Sequence, residues 1–176
     1  YDGLTAFDVW AFSVMYLITA LGVEAGLHRY FTHRSFDASE SLKVFFGVAG
    51  SMAAQGPIVF WVANHRLHHK DSDTRPDPHS PLVSFLWSHM GWLFVANPSR
   101  YNWTVYDRYA RDILRTPFYL WLQRGYNAMW IYSIHALAYF AIGFLAAVLG
   151  RGTLLSGLQL GLSFVVWGVV LRTVVV

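Results

Sequence analysis

The stretch WVANHRLHHK, residues 61–70, sets three of the chain's eight histidines within five positions, beside Arg66 and Lys70. His65, His68 and His69 fall at i, i+3 and i+4, positions that share one helical face, so the three rings are expected to converge. Working outward, a second histidine pair stands upstream in HRYFTH, residues 28–33. On an ideal helix His28 and His33 are about 140° apart, which has them flank a site rather than stack. The two clusters each end an apolar stretch, and this placement decides how the chain can be folded.

Three segments have the roughly 20 mostly apolar residues that cross a bilayer: residues 4–27, 126–149 and 154–176. Gly150, Arg151, Gly152 and Thr153 form a turn that makes the last two a hairpin. Residues 44–63 are also apolar and long enough to span. A straight crossing there would put HRYFTH and HRLHH on opposite membrane faces, too far apart for one site. Lys43, Gln55 and the break Gly56–Pro57 instead favour an interfacial or re-entrant segment over residues 41–63. Residues 64–124 then form a polar cap with aromatic anchors, in which YDRYARDILR, residues 106–115, reads as one amphipathic surface helix ending before Pro117. The fold class expected is all-α integral membrane: transmembrane helices under a histidine-rich helical cap, in a single domain over residues 1–176.

Composition agrees. With 55% hydrophobic and only 13% charged residues, against roughly a quarter charged in soluble domains, the chain is membrane-like. Eight Trp and ten Tyr suit side chains that sit at bilayer interfaces. Eleven of the thirteen Lys and Arg residues fall between His28 and Arg124. By the positive-inside tendency the histidine face is therefore cytoplasmic. The net charge of +3 gives no reason to expect nucleic acid as a partner. The chain begins without Met and ends inside an apolar run, so it is expected to be truncated at both ends.

There is no cysteine, so a metal would be held by histidine and carboxylate. Five clustered histidines exceed a tetrahedral site and suggest part of a two-metal centre. Ligating imidazoles usually give their second ring N–H to a carboxylate or carbonyl. Glu24, four residues before His28, either does this or pairs with a nearby arginine. Asp71, Asp73 and Asp77, after the second cluster, are further candidates for this supporting role. His135, alone in an apolar span, reads as structural; His79 and His89 match no ligand spacing.

HRYFTH and NHRLHHK, followed by DSDTRPDPHS and SHMGWLF, resemble the first two histidine boxes and following segment of membrane fatty acid desaturases of the stearoyl-CoA, delta-9 type. The resemblance runs over nearly the whole chain. It implies a four-helix membrane domain whose cytoplasmic cap holds two iron ions, with His28 and His65 on one and His33, His68 and His69 on the other. It implies that Gln55 and Trp61 line the bend of an acyl tunnel; a helix-end glutamine and an interfacial tryptophan are the plainer reading of both. The implied reaction is oxygen-dependent insertion of a cis double bond into a saturated acyl chain, with electrons from a small cytochrome- or ferredoxin-type protein. Arg66 and Lys70 are candidates to hold an anionic headgroup or to dock that electron carrier. Two departures are visible. The family's third histidine box is absent, so the fragment by itself is expected to be inactive. Ala63 and Asn64 stand where animal acyl-CoA desaturases carry an Arg–Asp pair, which leaves acyl-CoA and acyl-lipid both open as substrate. The competing expectations are a membrane di-iron hydroxylase or oxidase, and a non-enzymatic membrane metal-binding protein.

Overall fold

The computed structural model describes residues 4–72, 77, 80–89, 91–95 and 102–176. Among these the chain is all-α, without a strand. Three helices are long and apolar enough to cross a membrane: α1 (Ala6–Thr32), α8 (Asn127–Leu149) and α9 (Leu154–Val175). Shorter helices fill the space between them: α2 (Glu40–Met52), α3 (Ile58–Asp71), α4 (Phe85–His89), α5 (Trp103–Tyr109), α6 (Arg111–Leu114) and α7 (Pro117–Gln123).

Local chemistry sets the starts. Thr5 and Asp8 form a reciprocal capping box at the head of α1. The side chains of Ser39, Asn102 and Thr153 accept from the first backbone N–H groups of α2, α5 and α9. Pro117 opens α7, where a missing N–H costs nothing.

The first span differs from expectation in length and in kind. It is α-helical over Ala6–Ala20, then continues as a π-helix over Leu21–Thr32, so it runs past residue 27 and carries His28 on its last turns. The His33 N–H donates to the His28 carbonyl at 3.1 Å, five residues back. π-helical turns are rare and recur at functional sites.

α2 runs back along the π-helical half of α1. The two backbones meet where a Cβ on Gly22 would lie 2.5 Å from the Ala49 carbonyl carbon and the Gly50 nitrogen, a separation only glycine allows. The chain then reverses through residues 53–57, where Gly56 takes φ +96°. α3 climbs again toward the end of α1. α2 and α3 are thus a helical hairpin with its tip directed down among the spans. At 13 and 14 residues, each is shorter than a bilayer crossing.

Around this hairpin lies one core, built from Val23, Leu27 and Phe31 of α1, Phe46 of α2, Ile58, Val59 and Val62 of α3, and Tyr106, Ile113 and Leu122 of the cap. A second core lies lower, where Ala11 and Met15 meet Tyr139, Phe164 and Val169. Outward-facing residues of the spans, including Trp10, Leu17, Trp130, Leu137 and Leu158, are apolar and exposed, as a lipid-facing surface requires.

The segment YDRYARDILR is not one helix. It breaks at Ala110, at φ −138° and ψ 28°, into α5 and α6. Ala110 is fully buried, and the break frees the Tyr109 carbonyl and turns Asp112 inward, where both meet Arg66.

Candidate metal centre

Four imidazoles converge where α1 and α3 end. His28 and His33 come from the first, His65 and His69 from the second, and one ring nitrogen from each lies within 4.8 Å of all the others. The Nε2 atoms of His28 and His33 are 3.1 Å apart, as are those of His65 and His69. Across the gap, the His28 and His65 rings are 4.8 Å apart and the His33 and His69 rings 4.6 Å. The π-helix explains why His28 and His33 meet rather than flank. Its i→i+5 ladder stacks residues five apart, where an α-helix would splay them by about 140°.

The donor set fits a transition metal. Nitrogen ligands at about 2.0–2.1 Å from one ion sit roughly 3.4 Å apart in a tetrahedron, inside the range seen here. The group contains neither carboxylate nor thiolate, and imidazole suits iron, zinc, copper and nickel. Burial, followed by the neighbouring imidazoles, lowers the pKa of His33 and His69 below the ordinary histidine value. Both rings therefore stay neutral and able to ligate at neutral pH.

His68 stands beside this group rather than in it, its ring 5.8 Å from His65 and 5.5 Å from His69. The expected convergence of all three rings of HRLHH thus holds for two. His68 Nδ1 is instead 2.9 Å from Oδ1 of Asp77, a buried carboxylate. Glu24 approaches His28 Nδ1 at 3.7 Å, within ion-pair range but beyond a hydrogen bond. Asp73 and His79 lie outside the described residues.

Gln55 and Trp61, six residues apart, are brought together. Trp61 Nε1 donates to Gln55 Oε1 at 2.9 Å, and the indole stacks on His65 at 4.7 Å with 21° between the planes. A continuous contact therefore joins the hairpin tip to the histidine group.

Arg66 differs from its expectation as a headgroup or docking cation. It donates to the carbonyls of Phe31, Thr32 and Tyr109 and to both oxygens of Asp112, at 2.6–3.2 Å. It is a strut that ties the end of α1 to the cap. Arg34, at φ 52°, turns back to reach the same Asp112 at 2.8 Å. Burial alone would raise the Asp112 pKa, but the hydrogen bonds from Arg66 and Arg34 outweigh it and hold the carboxyl below its ordinary value. Sequence reading missed Asp112, whose only signal was an acid between two arginines on the cap. Lys70 remains largely exposed, with Asp71 3.8 Å away.

His135 is buried in α8, its Nε2 3.0 Å from Arg172 Nη2. That pairing sets His135 apart from the histidine group, inside the spans. Ala63 and Asn64 are fully buried, and Asn64 Nδ2 donates to the Phe60 carbonyl.

A family model described as fatty acid desaturase matches residues 8–176. The chain is 40% identical over 92% of its length to an sn-1 stearoyl-lipid 9-desaturase of Anabaena variabilis, covering 52% of that protein. It is 36% identical over 93% of its length to the sn-1 stearoyl-lipid 9-desaturase of Synechocystis, covering 45% of it. Stearoyl-CoA desaturase 5 of Bos taurus is 49% identical over 49% of the chain and 26% of its own length. The chain spans about half the length of the curated relatives it matches over most of its own.

Proposed function

This chain belongs to the fatty acid desaturase family, and on that footing we propose that the whole protein uses oxygen to insert a cis double bond, at the delta-9 position, into a saturated acyl chain. The observation that carries this reading is the group of four imidazoles at the meeting point of α1 and α3, at one end of three apolar spans. The substrate we favour is an acyl-lipid. A relative named stearoyl-lipid 9-desaturase is 40% identical over 92% of the chain, against 36% over 94% for one named acyl-CoA 5-desaturase, and Ala63 and Asn64 are buried where animal acyl-CoA desaturases carry an Arg–Asp pair.

His28, His33, His65 and His69, with His68 beside them, would hold two iron ions. Bound iron, reduced by two electrons from a small cytochrome- or ferredoxin-type partner, would supply the oxygen chemistry that takes two hydrogens from neighbouring methylenes. The chain's own part is placement. The methylenes of a saturated tail are chemically alike, so only the depth and bend of the tunnel can choose between them. Gln55 and Trp61, joined to each other and stacked on His65, would form that bend. Asp77 and Glu24 would orient His68 and His28. Asp73 is proposed for the same role from its place in the sequence. The apolar helices bury the tail and keep water away. We further propose that the histidine face is cytoplasmic, that residues 41–63 re-enter the bilayer without crossing it, and that residues 64–124 form the cap.

The test is the fatty-acid profile of desaturase-deficient cells expressing the whole gene, by gas chromatography with mass spectrometry. The expected product is a new cis monoene, with His69→Ala reducing it below a tenth of wild type and lowering the iron retained. Hydroxylated chains would reassign the reaction, and monoene formation that survived His69→Ala would remove the metal centre from it.

A further inference from the structure

Among the described residues the largest fully buried side chain is Arg172, in the last turns of α9. An arginine inside an apolar span is costly unless it is fully partnered, and its partners point to its use. Its Nη2 meets His135 Nε2 at 3.0 Å, and its Nε reaches the Gly168 carbonyl at 3.4 Å. The third contact leaves the spans: Nη1 donates to the Met52 carbonyl at 2.9 Å. Met52 ends α2, so that carbonyl is one of the acceptors a helix C-terminus leaves without an internal donor, at the negative end of the helix dipole. The guanidinium thus grips the tip of the α2–α3 hairpin. Close by, Gln55 of the tip donates to the Val176 carbonyl at 3.1 Å.

From this grip the contacts run without interruption to the histidine group: Arg172 to Met52, three residues along to Gln55, Gln55 to Trp61, and Trp61 stacked on His65. His135 supports the guanidinium from behind. We propose that Arg172 is a positioning residue that fixes the depth of the hairpin tip, and so the carbon at which the double bond is placed. This rests on the desaturase reading above. Adjacent methylenes are a single C–C bond apart, so a small rise or fall of the tip would be enough to bring a neighbouring pair to the histidine group.

The experiment uses the whole protein in desaturase-deficient cells, with bond position read by mass spectrometry of derivatised monoenes and iron measured on the purified protein. Arg172→Lys keeps the charge but loses the planar fork that serves several acceptors at once. His135→Leu keeps the apolar packing but removes the acceptor behind the guanidinium, and His135→Gln restores one. Arg172→Lys and His135→Leu are expected to yield a second positional isomer at a tenth or more of the monoene, with iron per protein within twofold of wild type. His135→Gln is expected to return the product toward a single isomer. A purely structural role would lower the amount of protein and leave the isomer ratio alone. A single isomer at the wild-type position in both Arg172→Lys and His135→Leu, at any yield, overturns the proposal. If Arg172→Lys fails to accumulate, His135→Leu and its Gln partner decide it. Absence of monoene from wild type would instead overturn the desaturase reading, and is recognised without any variant.

Discussion

The carboxylates around the histidines have separable duties. Asp77 is buried with its Oδ1 2.9 Å from His68 Nδ1, the contact behind the orienting role proposed for it. Asp77→Asn is expected to weaken metal retention roughly 10–100-fold, measured by iron content after dialysis against a graded chelator. Undiminished retention would show that His68 needs no such support. Asp112 serves the cap. Its carboxyl is held below its ordinary value of 3.8 by Arg66 and Arg34. A depressed carboxylate contributes stability that is complete above the unfolded value and is lost as pH falls through the lower folded value. The melting temperature in detergent should therefore decline below pH 3.8 in wild type, and this step should be missing from Asp112→Asn, which starts lower. An identical acid limb in both proteins would mean that the pair contributes nothing. Residue type and spacing made the four converging histidines, His28, His33, His65 and His69, legible from sequence. Asp112 was not legible, because its partners lie 46 and 78 positions away, at Arg66 and Arg34.

Among the elements, the three long apolar helices could be read directly, since length and hydropathy are local properties. The π-helical half of α1 could not. Nothing in LGVEAGLHRYFT announces i→i+5 bonding, nor that α2 packs closely along this segment. That packing depends on Gly22, where a Cβ would run into the Ala49–Gly50 backbone, and on Gly50, where one would run into the Leu27 side chain. Gly22→Val is expected to destabilise the protein by at least about 1–3 kcal/mol, the usual range for overpacking. It should also lower iron retention, because α2 leads into the hairpin that carries His65 and His69. A wild-type melting curve and iron content for this variant would show that the contact is slack. The break at Ala110 was likewise hidden, because an amphipathic pattern over residues 106–115 does not reveal that Arg66 draws in Tyr109 and Asp112.

For the whole molecule, the histidine group, the hairpin and the basic cap all lie at one end of the spans, with the turn at Arg151 at the other. The chain has no cysteine, so single replacements give an unambiguous map. In sealed right-side-out vesicles, Arg151→Cys is expected to react with an impermeant maleimide, and Arg108→Cys only after the membrane is opened. The reverse pattern would invert the orientation. The π-helical half of α1 also bears on protein engineering. A redesign for thermal stability would mark Leu21–Thr32 as an irregularity and seek to straighten it into an ideal α-helix. The straightened helix would be stiffer, and it would swing His33 about 140° from His28. Stability scores would reward the very substitution set that pulls the four imidazoles apart.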